Sequence, residues 1–88
     1  MTVQLVEKQS LTKILSSITS TEKMEDFLKG ILTTKEYRDI TQRLEILRLL
    51  KLGVSHREIS EKLGVGVATV TRGSKELQKG RFAYIKAI

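Results

Sequence analysis

Apolar residues recur at helical spacing in the first part of the chain. One set follows the i, i+3, i+4, i+7 pattern, which predicts an amphipathic helix over roughly residues 3–19. Its members are Leu11, Ile14, Leu15 and Ile18. A second set with helical spacing comprises Met24, Phe27, Leu28 and Ile31. Because Ser20 and Thr21 precede this set and Gly30 lies near its end, we expect a second helix there.

Thr33 and Glu36 have the spacing of a capping box, which predicts the start of a long third helix. Gly53 is expected to end that helix as a left-handed cap. The helix is apolar on more than one stripe, and its apolar residues are Tyr37, Ile40, Leu44, Ile46, Leu47, Leu49 and Leu50. A helix of this kind has to be covered on two sides. Pairing with a second chain is the favoured cover, and burial in a single core is the alternative.

Ser55 and Glu58 form a second capping box, which predicts a short helix that ends at Gly64. Residues 65–71 read VGVATVT and resemble a β-strand in composition, but two capping boxes in so short a chain argue against strands. A helix-turn-helix accounts for the pattern, with a second helix from about Val67 to Leu77. Apolar residues flank the turn glycine on both sides, at Ile59, Leu63, Val65, Val67 and Val70. Tertiary packing can hold these residues in a helix, because their unfavourable helix propensity amounts to only about a few tenths of a kcal/mol per residue.

These patterns predict an all-α fold of about six short helices in one domain, residues 1–88. Within it we expect a dimerisation core over 1–54, a DNA-reading head over 55–79 and a C-terminal helix over 80–88. A chain of 88 residues is near the lower limit for a self-sufficient core, and it contains no cysteine for disulfides. A homodimer would enlarge that core. With a single histidine and no cysteine, no metal site is expected.

The charge of the chain is basic, with 16 Lys and Arg against 10 Asp and Glu. Residues 55–88 carry seven basic and three acidic side chains, and so hold +4 of the net +6. A basic lobe favours a polyanionic partner, most commonly nucleic acid, although a merely basic solvated surface is the alternative. No signal pattern or membrane-spanning run is present, so we expect a cytoplasmic, nucleoid-associated protein and no membrane partner. Nothing resembles a catalytic cluster or a phosphate-binding loop, so an enzyme is not expected.

The segment ATVTRGS, together with SHREISEKLGVGV, LTTKE and QRLEIL, resembles the Trp repressor family over roughly residues 27–80. The resemblance implies an intertwined, all-helical homodimer whose two helix-turn-helix heads bind operator DNA in successive major grooves. It also implies a transcriptional repressor that L-tryptophan or a related amino acid activates as corepressor. A helical interaction module, or the targeting head of a recombinase, is the alternative from another class.

The resemblance also implies a small amino-acid site. In the family two arginines sandwich the indole, and Arg43 and Arg72 match them. Thr33 matches a threonine that holds the ligand carboxylate, and the absent side chain of Gly73 makes room for the ring. Further lining positions match Leu32, Thr69 and Glu76. Glu76 stands where the family has a serine that meets the ligand ammonium. A carboxylate there could bind the ammonium, or it could pair with Arg72 and occlude the pocket, which would leave a ligand-independent DNA-binding regulator.

Family positions that contact DNA match His56, Arg57, Val67, Ala68, Thr69 and Thr71. Small side chains at the start of the second head helix would let its backbone approach the bases, where methyl groups can meet thymine methyls. His56 stands where a glutamine is usual, and Ser60 where a lysine is expected. An exposed His56 without a role is the alternative to a DNA contact.

Overall fold

A computed structural model describes residues 8–86 and 88 of the protein. The described residues form five α-helices and no strand, which confirms the all-α prediction. The helices are α1 Lys8–Ser17, α2 Thr21–Ile31, α3 Thr34–Lys51, α4 His56–Leu63 and α5 Val67–Gln78. Residues 3–7 of the predicted first helix lie outside the described residues.

Hydrogen bonds of the predicted caps fix where the helices begin. The hydroxyl of Ser20 accepts from the backbone N–H of Lys23 at 3.3 Å before α2. Before α3, Thr33 and Glu36 complete a reciprocal capping box. The hydroxyl of Thr33 accepts from the Glu36 N–H at 3.1 Å, and the Glu36 carboxylate accepts from the Thr33 N–H at 2.9 Å. Two of the unpaired donors at a helix start are thereby satisfied.

The chain divides into two compact units, Met1–Tyr37 and Arg38–Ile88. The first unit contains α1, α2 and the first turn of α3. The apolar residues described in this unit are half-buried or exposed, and none is fully buried. Leu11 and Ile14 of α1 are 53% and 43% exposed.

The second unit contains the fully buried core. Four buried side chains from three helices form it: Ile46 and Leu49 of α3, Ile59 of α4 and Val70 of α5. Half-buried apolar residues surround this cluster, namely Leu50, Val54, Leu63 and Val65. Residues on both sides of the turn between α4 and α5 thus pack on α3. Burial of these side chains is what holds VGVATVT in a helix-turn-helix instead of a strand.

A turn of three residues joins α4 to α5. Gly64 ends α4 in the left-handed region (φ 66°, ψ 35°), which glycine adopts without strain. The N–H of Gly64 and that of Val65 both donate to the carbonyl of Ser60, and the Ser60 hydroxyl donates to the carbonyl of Val65. These bonds satisfy groups at the end of α4 and set the angle at which α5 begins.

The predicted C-terminal helix does not form in the part of 80–88 that the structure describes; these residues lie in turns and irregular backbone. The described residues therefore form five helices where about six were expected. Gly80 and Phe82 have φ values of 86° and 70°, which no right-handed helix can contain. The carbonyls of Phe82, Ile85 and Ile88 accept hydrogen bonds from Lys51 of α3, and the Phe82 carbonyl also accepts from the N–H of Ile85 in a tight turn.

Candidate functional site

A cavity of about 270 Å³ lies in the second unit, beside α3 and α5. Its lining comprises Arg43, Ile46, Leu47, Thr69, Arg72, Gly73, Glu76 and Phe82. The volume is near the lower end of the range of about 300–1,000 Å³ for ligand pockets. It therefore suits one small molecule.

Helical spacing explains why these residues meet. In α3, Arg43 lies one turn before Ile46 and Leu47, so all three side chains share a face. In α5, the four lining residues are spaced i, i+3, i+4 and i+7: Thr69, Arg72, Gly73 and Glu76. The two faces bring a guanidinium from each helix to one cavity whose remaining walls are largely apolar.

Gly73 faces α3 across a short gap. A Cβ built on Gly73 would lie 3.4 Å from Cγ2 of Ile46 and 3.6 Å from Cδ2 of Leu47 and from Cδ1 of Leu50. These are ordinary van der Waals distances, so a methyl group would fit but a longer side chain would enter the cavity or displace its lining. A glycine inside a helix costs about 1 kcal/mol relative to alanine. In this protein the glycine that carries this cost is also a lining residue of the cavity.

Glu76 is the acidic residue of the lining, and both of its carboxylate oxygens contact cations. Oε1 lies 3.2 Å from Nζ of Lys79, and Oε2 lies 2.7 Å from Nε of Arg81. The hydrogen bond from Lys79 is the main cause that lowers the pKa of Glu76 below its ordinary value, and the charges of Lys79 and Arg81 contribute. The carboxylate is therefore ionised at neutral pH, and its contacts are to residues beyond it in the chain, not to Arg72.

Five of the seven predicted ligand residues line this cavity: Arg43, Thr69, Arg72, Gly73 and Glu76. Leu32 and Thr33 belong to the first unit, where Thr33 caps α3, and their part in a ligand site stays a prediction.

Sequence reasoning missed three lining residues, Ile46, Leu47 and Phe82. The spacing from Arg43 could have identified Ile46 and Leu47. No local signal identifies Phe82, because its position depends on Lys51.

The residues predicted to contact DNA divide into two groups. Arg57, Val67, Ala68 and Thr69 are exposed, and the last three form the first turn of α5. His56 and Thr71 are half-buried, and Oγ1 of Thr71 lies 3.5 Å from Nδ1 of His56. The first group is available to a partner, whereas the second links the start of α4 to α5.

A helix-turn-helix of this form, with small exposed side chains at the start of its second helix, is the architecture of DNA-binding regulators. Comparison with known proteins identifies the kind of regulator. The family described as Trp repressor protein matches residues 7–88. The chain belongs to this family of transcription regulators.

Curated relatives agree with that assignment. A Trp operon repressor homolog of Vibrio parahaemolyticus is 41% identical over 71 residues, which cover 80% of this chain and 69% of that protein. One from Xylella fastidiosa is 41% identical over 71 residues, covering 80% and 77%. One from Photobacterium profundum is 42% identical over 78 residues, covering 88% and 76%. No solved structure matches the chain.

The family assignment confirms the prediction of a DNA-binding transcription regulator of repressor type. Among the described residues, no helix has both the length and the apolar character needed to cross a bilayer.

Proposed function

We propose that the protein is a dimeric, operator-binding repressor that L-tryptophan or a related amino acid activates as corepressor. The observation that carries the proposal is that five residues matched to the family's ligand site line one cavity. They come from two helices, α3 and α5, and helical spacing places them on facing sides of that cavity. The relatives are named Trp operon repressor homolog, so L-tryptophan is the first ligand to test.

The lining suits an amino acid with a flat side chain. Arg43 and Arg72 offer two guanidinium groups, which can stack on an aromatic ring and also pair with a carboxylate. Ile46 and Leu47 offer an apolar surface for the ring. Oε1 of Glu76 can accept a hydrogen bond from the ligand ammonium, since its present partner, Lys79, is an exposed side chain that exchanges at little cost.

Helix α5 connects the cavity to DNA binding. Thr69 lines the cavity and also belongs to the exposed first turn that we assign to the DNA surface. A ligand in the cavity that contacts one orientation of α5 better than another shifts the population toward that orientation. The corepressor would thereby favour the DNA-competent heads, and the protein would act at the nucleoid in the cytoplasm.

Exposed apolar residues on α3 support the homodimer. Ile40 and Leu44 are one turn apart on the helix, and they are 41% and 40% exposed in the single chain. An apolar stripe of this kind is costly in water and is typical of an interface. Two copies of the chain would also supply the two heads that an operator with two half-sites requires.

Calorimetric titration with each aromatic amino acid tests the ligand, and gel shifts at fixed salt with and without L-tryptophan test its effect. We expect saturable binding of L-tryptophan and tighter operator binding in its presence. Arg72→Ala should remove both effects while basal DNA binding remains. Equal operator affinity with and without L-tryptophan would dismiss the corepressor and leave the repressor.

The second candidate is a ligand-independent regulator in which Glu76 closes the cavity. It is favoured by the position of the charged Glu76 in the cavity lining, where its carboxylate already pairs with Arg81. In that case Glu76→Ser should create a response to L-tryptophan that the natural protein lacks.

A further inference from the structure

The residues after α5 form a segment that we call the C-terminal strap, residues 79–86 and 88. It is fastened to α3 by one side chain. Nζ of Lys51 donates hydrogen bonds to the carbonyls of Phe82 at 3.2 Å, Ile85 at 3.3 Å and Ile88 at 3.1 Å. A lysine ammonium has three donors, and Lys51 uses one on each carbonyl.

A second anchor fastens the strap to α5. Nε of Arg81 lies 2.7 Å from Oε2 of Glu76, whose other oxygen contacts Lys79. Phe82 follows Arg81 directly, and its own carbonyl is one of the three that Lys51 binds, so both anchors act at or next to it. Both anchors and the cavity belong to the second unit.

Phe82 has an unusual backbone conformation, with a φ of 70°. A bulky residue in the left-handed region is rare and strained, and such strain persists where surrounding contacts hold it. The strap carries two aromatic side chains with different surroundings. Phe82 is half-buried and lines the cavity, whereas Tyr84 is 81% exposed.

From this geometry we infer that Phe82 is a specificity-determining residue, an aromatic wall that selects a ligand with a flat ring over one with an aliphatic side chain. The inference rests on the proposed function, because it concerns the ligand of the same cavity. Two rings in offset or edge-to-face contact gain attraction beyond the area that they bury. Lys51 is then a positioning residue, since it acts on the ligand only through the backbone of Phe82.

The experiment compares L-tryptophan with L-leucine as ligands of the full chain. The chain contains no tryptophan, so indole fluorescence reports the ligand alone, and calorimetry measures both affinities. Phe82→Leu keeps an apolar side chain but removes the ring, and Phe82→Ala removes the wall. Tyr84→Ala is the matched control on the same strap. Circular dichroism verifies that each variant is folded.

We expect Phe82→Leu to weaken L-tryptophan binding by about two- to tenfold, the range for one aromatic contact, and to leave L-leucine binding unchanged. Phe82→Ala should weaken it at least as much, and Tyr84→Ala should bind as the natural protein does. Lys51→Met should reduce the preference for L-tryptophan over L-leucine in the same way. Lys51→Arg keeps hydrogen-bond donors for the carbonyls and should largely retain that preference.

The contrary outcomes separate this inference from the proposed function. Unchanged or tighter L-tryptophan binding in both Phe82 variants would overturn the aromatic wall and leave the corepressor in place. If the natural protein bound neither L-tryptophan nor any other aromatic amino acid, the corepressor and the wall would both be wrong.

Discussion

Oε2 of Glu76 lies 2.7 Å from Nε of Arg81, a residue that follows α5 in the chain. The sequence left open whether Glu76 would instead pair with Arg72, one turn earlier, and fill the ligand site. Its observed partners lie toward the end of α5, and the cavity of about 270 Å³ remains beside it. Arg72 therefore remains part of the cavity lining, where a ligand can contact it.

A neutral residue at position 76 should weaken ligand binding. Glu76→Gln keeps the size of the side chain but removes the charge that attracts an ammonium. Because the side chain is partly exposed, we expect L-tryptophan affinity to fall by no more than about fivefold. Calorimetry at several salt concentrations measures it, and the difference from the natural protein should shrink as salt rises. Tighter binding by Glu76→Gln would instead favour the occluded, ligand-independent regulator.

Arg57 should contribute to DNA binding and not to ligand binding. Its side chain is 89% exposed, and its ion pair with Glu61 is of the surface type that contributes at most about 1 kcal/mol, so a DNA phosphate can replace it. Arg57→Ala should weaken operator binding and reduce the slope of log affinity against log salt by about one. Glu61→Ala, which frees Arg57, is the matched control and should not weaken binding. An unchanged salt slope in Arg57→Ala would show that Arg57 does not contact a DNA phosphate.

Position 73 should tolerate a methyl group but no larger side chain. Because a Cβ there meets α3 at ordinary contact distances, Gly73→Ala should raise the free energy of unfolding by up to about 1 kcal/mol. Gly73→Leu should abolish ligand binding, since its side chain either fills the cavity or displaces Ile46 and Leu47. Denaturant unfolding and calorimetry measure the two effects. Retained L-tryptophan affinity in Gly73→Leu would contradict the cavity assignment.

Charges on the exposed stripe of α3 should disrupt the dimer. Ile40→Glu and Leu44→Glu would each bury a carboxylate at the proposed interface, which costs several kcal/mol. We expect dimerisation to weaken by about a hundredfold or more, as measured by sedimentation over a range of concentrations. Leu52→Glu is the control, because Leu52 is 67% exposed just beyond the end of α3. A natural protein that sedimented as a monomer throughout would refute the dimer itself.

The capping box at the start of α3 should make stability depend on pH. Hydrogen bonds from the backbone and side chain of Thr33 lower the pKa of Glu36 in the folded state. A carboxylate whose pKa is lower in the folded state than in the unfolded state stabilises the protein at pH values above its unfolded-state pKa. This contribution is lost as the pH falls through the folded-state pKa. Glu36→Gln should therefore be less stable than the natural protein at neutral pH, and the difference should shrink on acidification. Thermal unfolding across pH measures it, and a difference independent of pH would exclude this role.

The sequence predicted most helix boundaries because caps are local. Thr33 and Glu36 bond to each other across one turn, and the Ser55 hydroxyl accepts from the N–H of Glu58 at 3.2 Å. Gly64 ends α4 as the pattern predicted, and it does so in a left-handed conformation. Each of these features needs only residues a few positions apart, so the pattern suffices.

The predicted C-terminal helix was wrong for a reason outside its own sequence. Phe82, Ile85 and Ile88 have helical spacing, but their carbonyls bond to Lys51, a residue of α3. The same long-range contact holds Phe82 beside the cavity that it lines, and no local sequence pattern predicts this position. The ion pair between Glu76 and Arg81 likewise depends on the path of the chain after α5, which brings Arg81 back to the helix.

By itself, then, the sequence determined the all-α class, the helix-turn-helix and the family, because hydrophobic periodicity, caps and the ATVTRGS segment are encoded in neighbouring residues. Only the tertiary structure decided that five of the residues matched to the family's ligand site enclose a cavity, and that the C-terminal strap completes it. The physical reason is that these relationships join residues distant along the chain, whose approach depends on how Ile46, Ile59 and Val70 pack together.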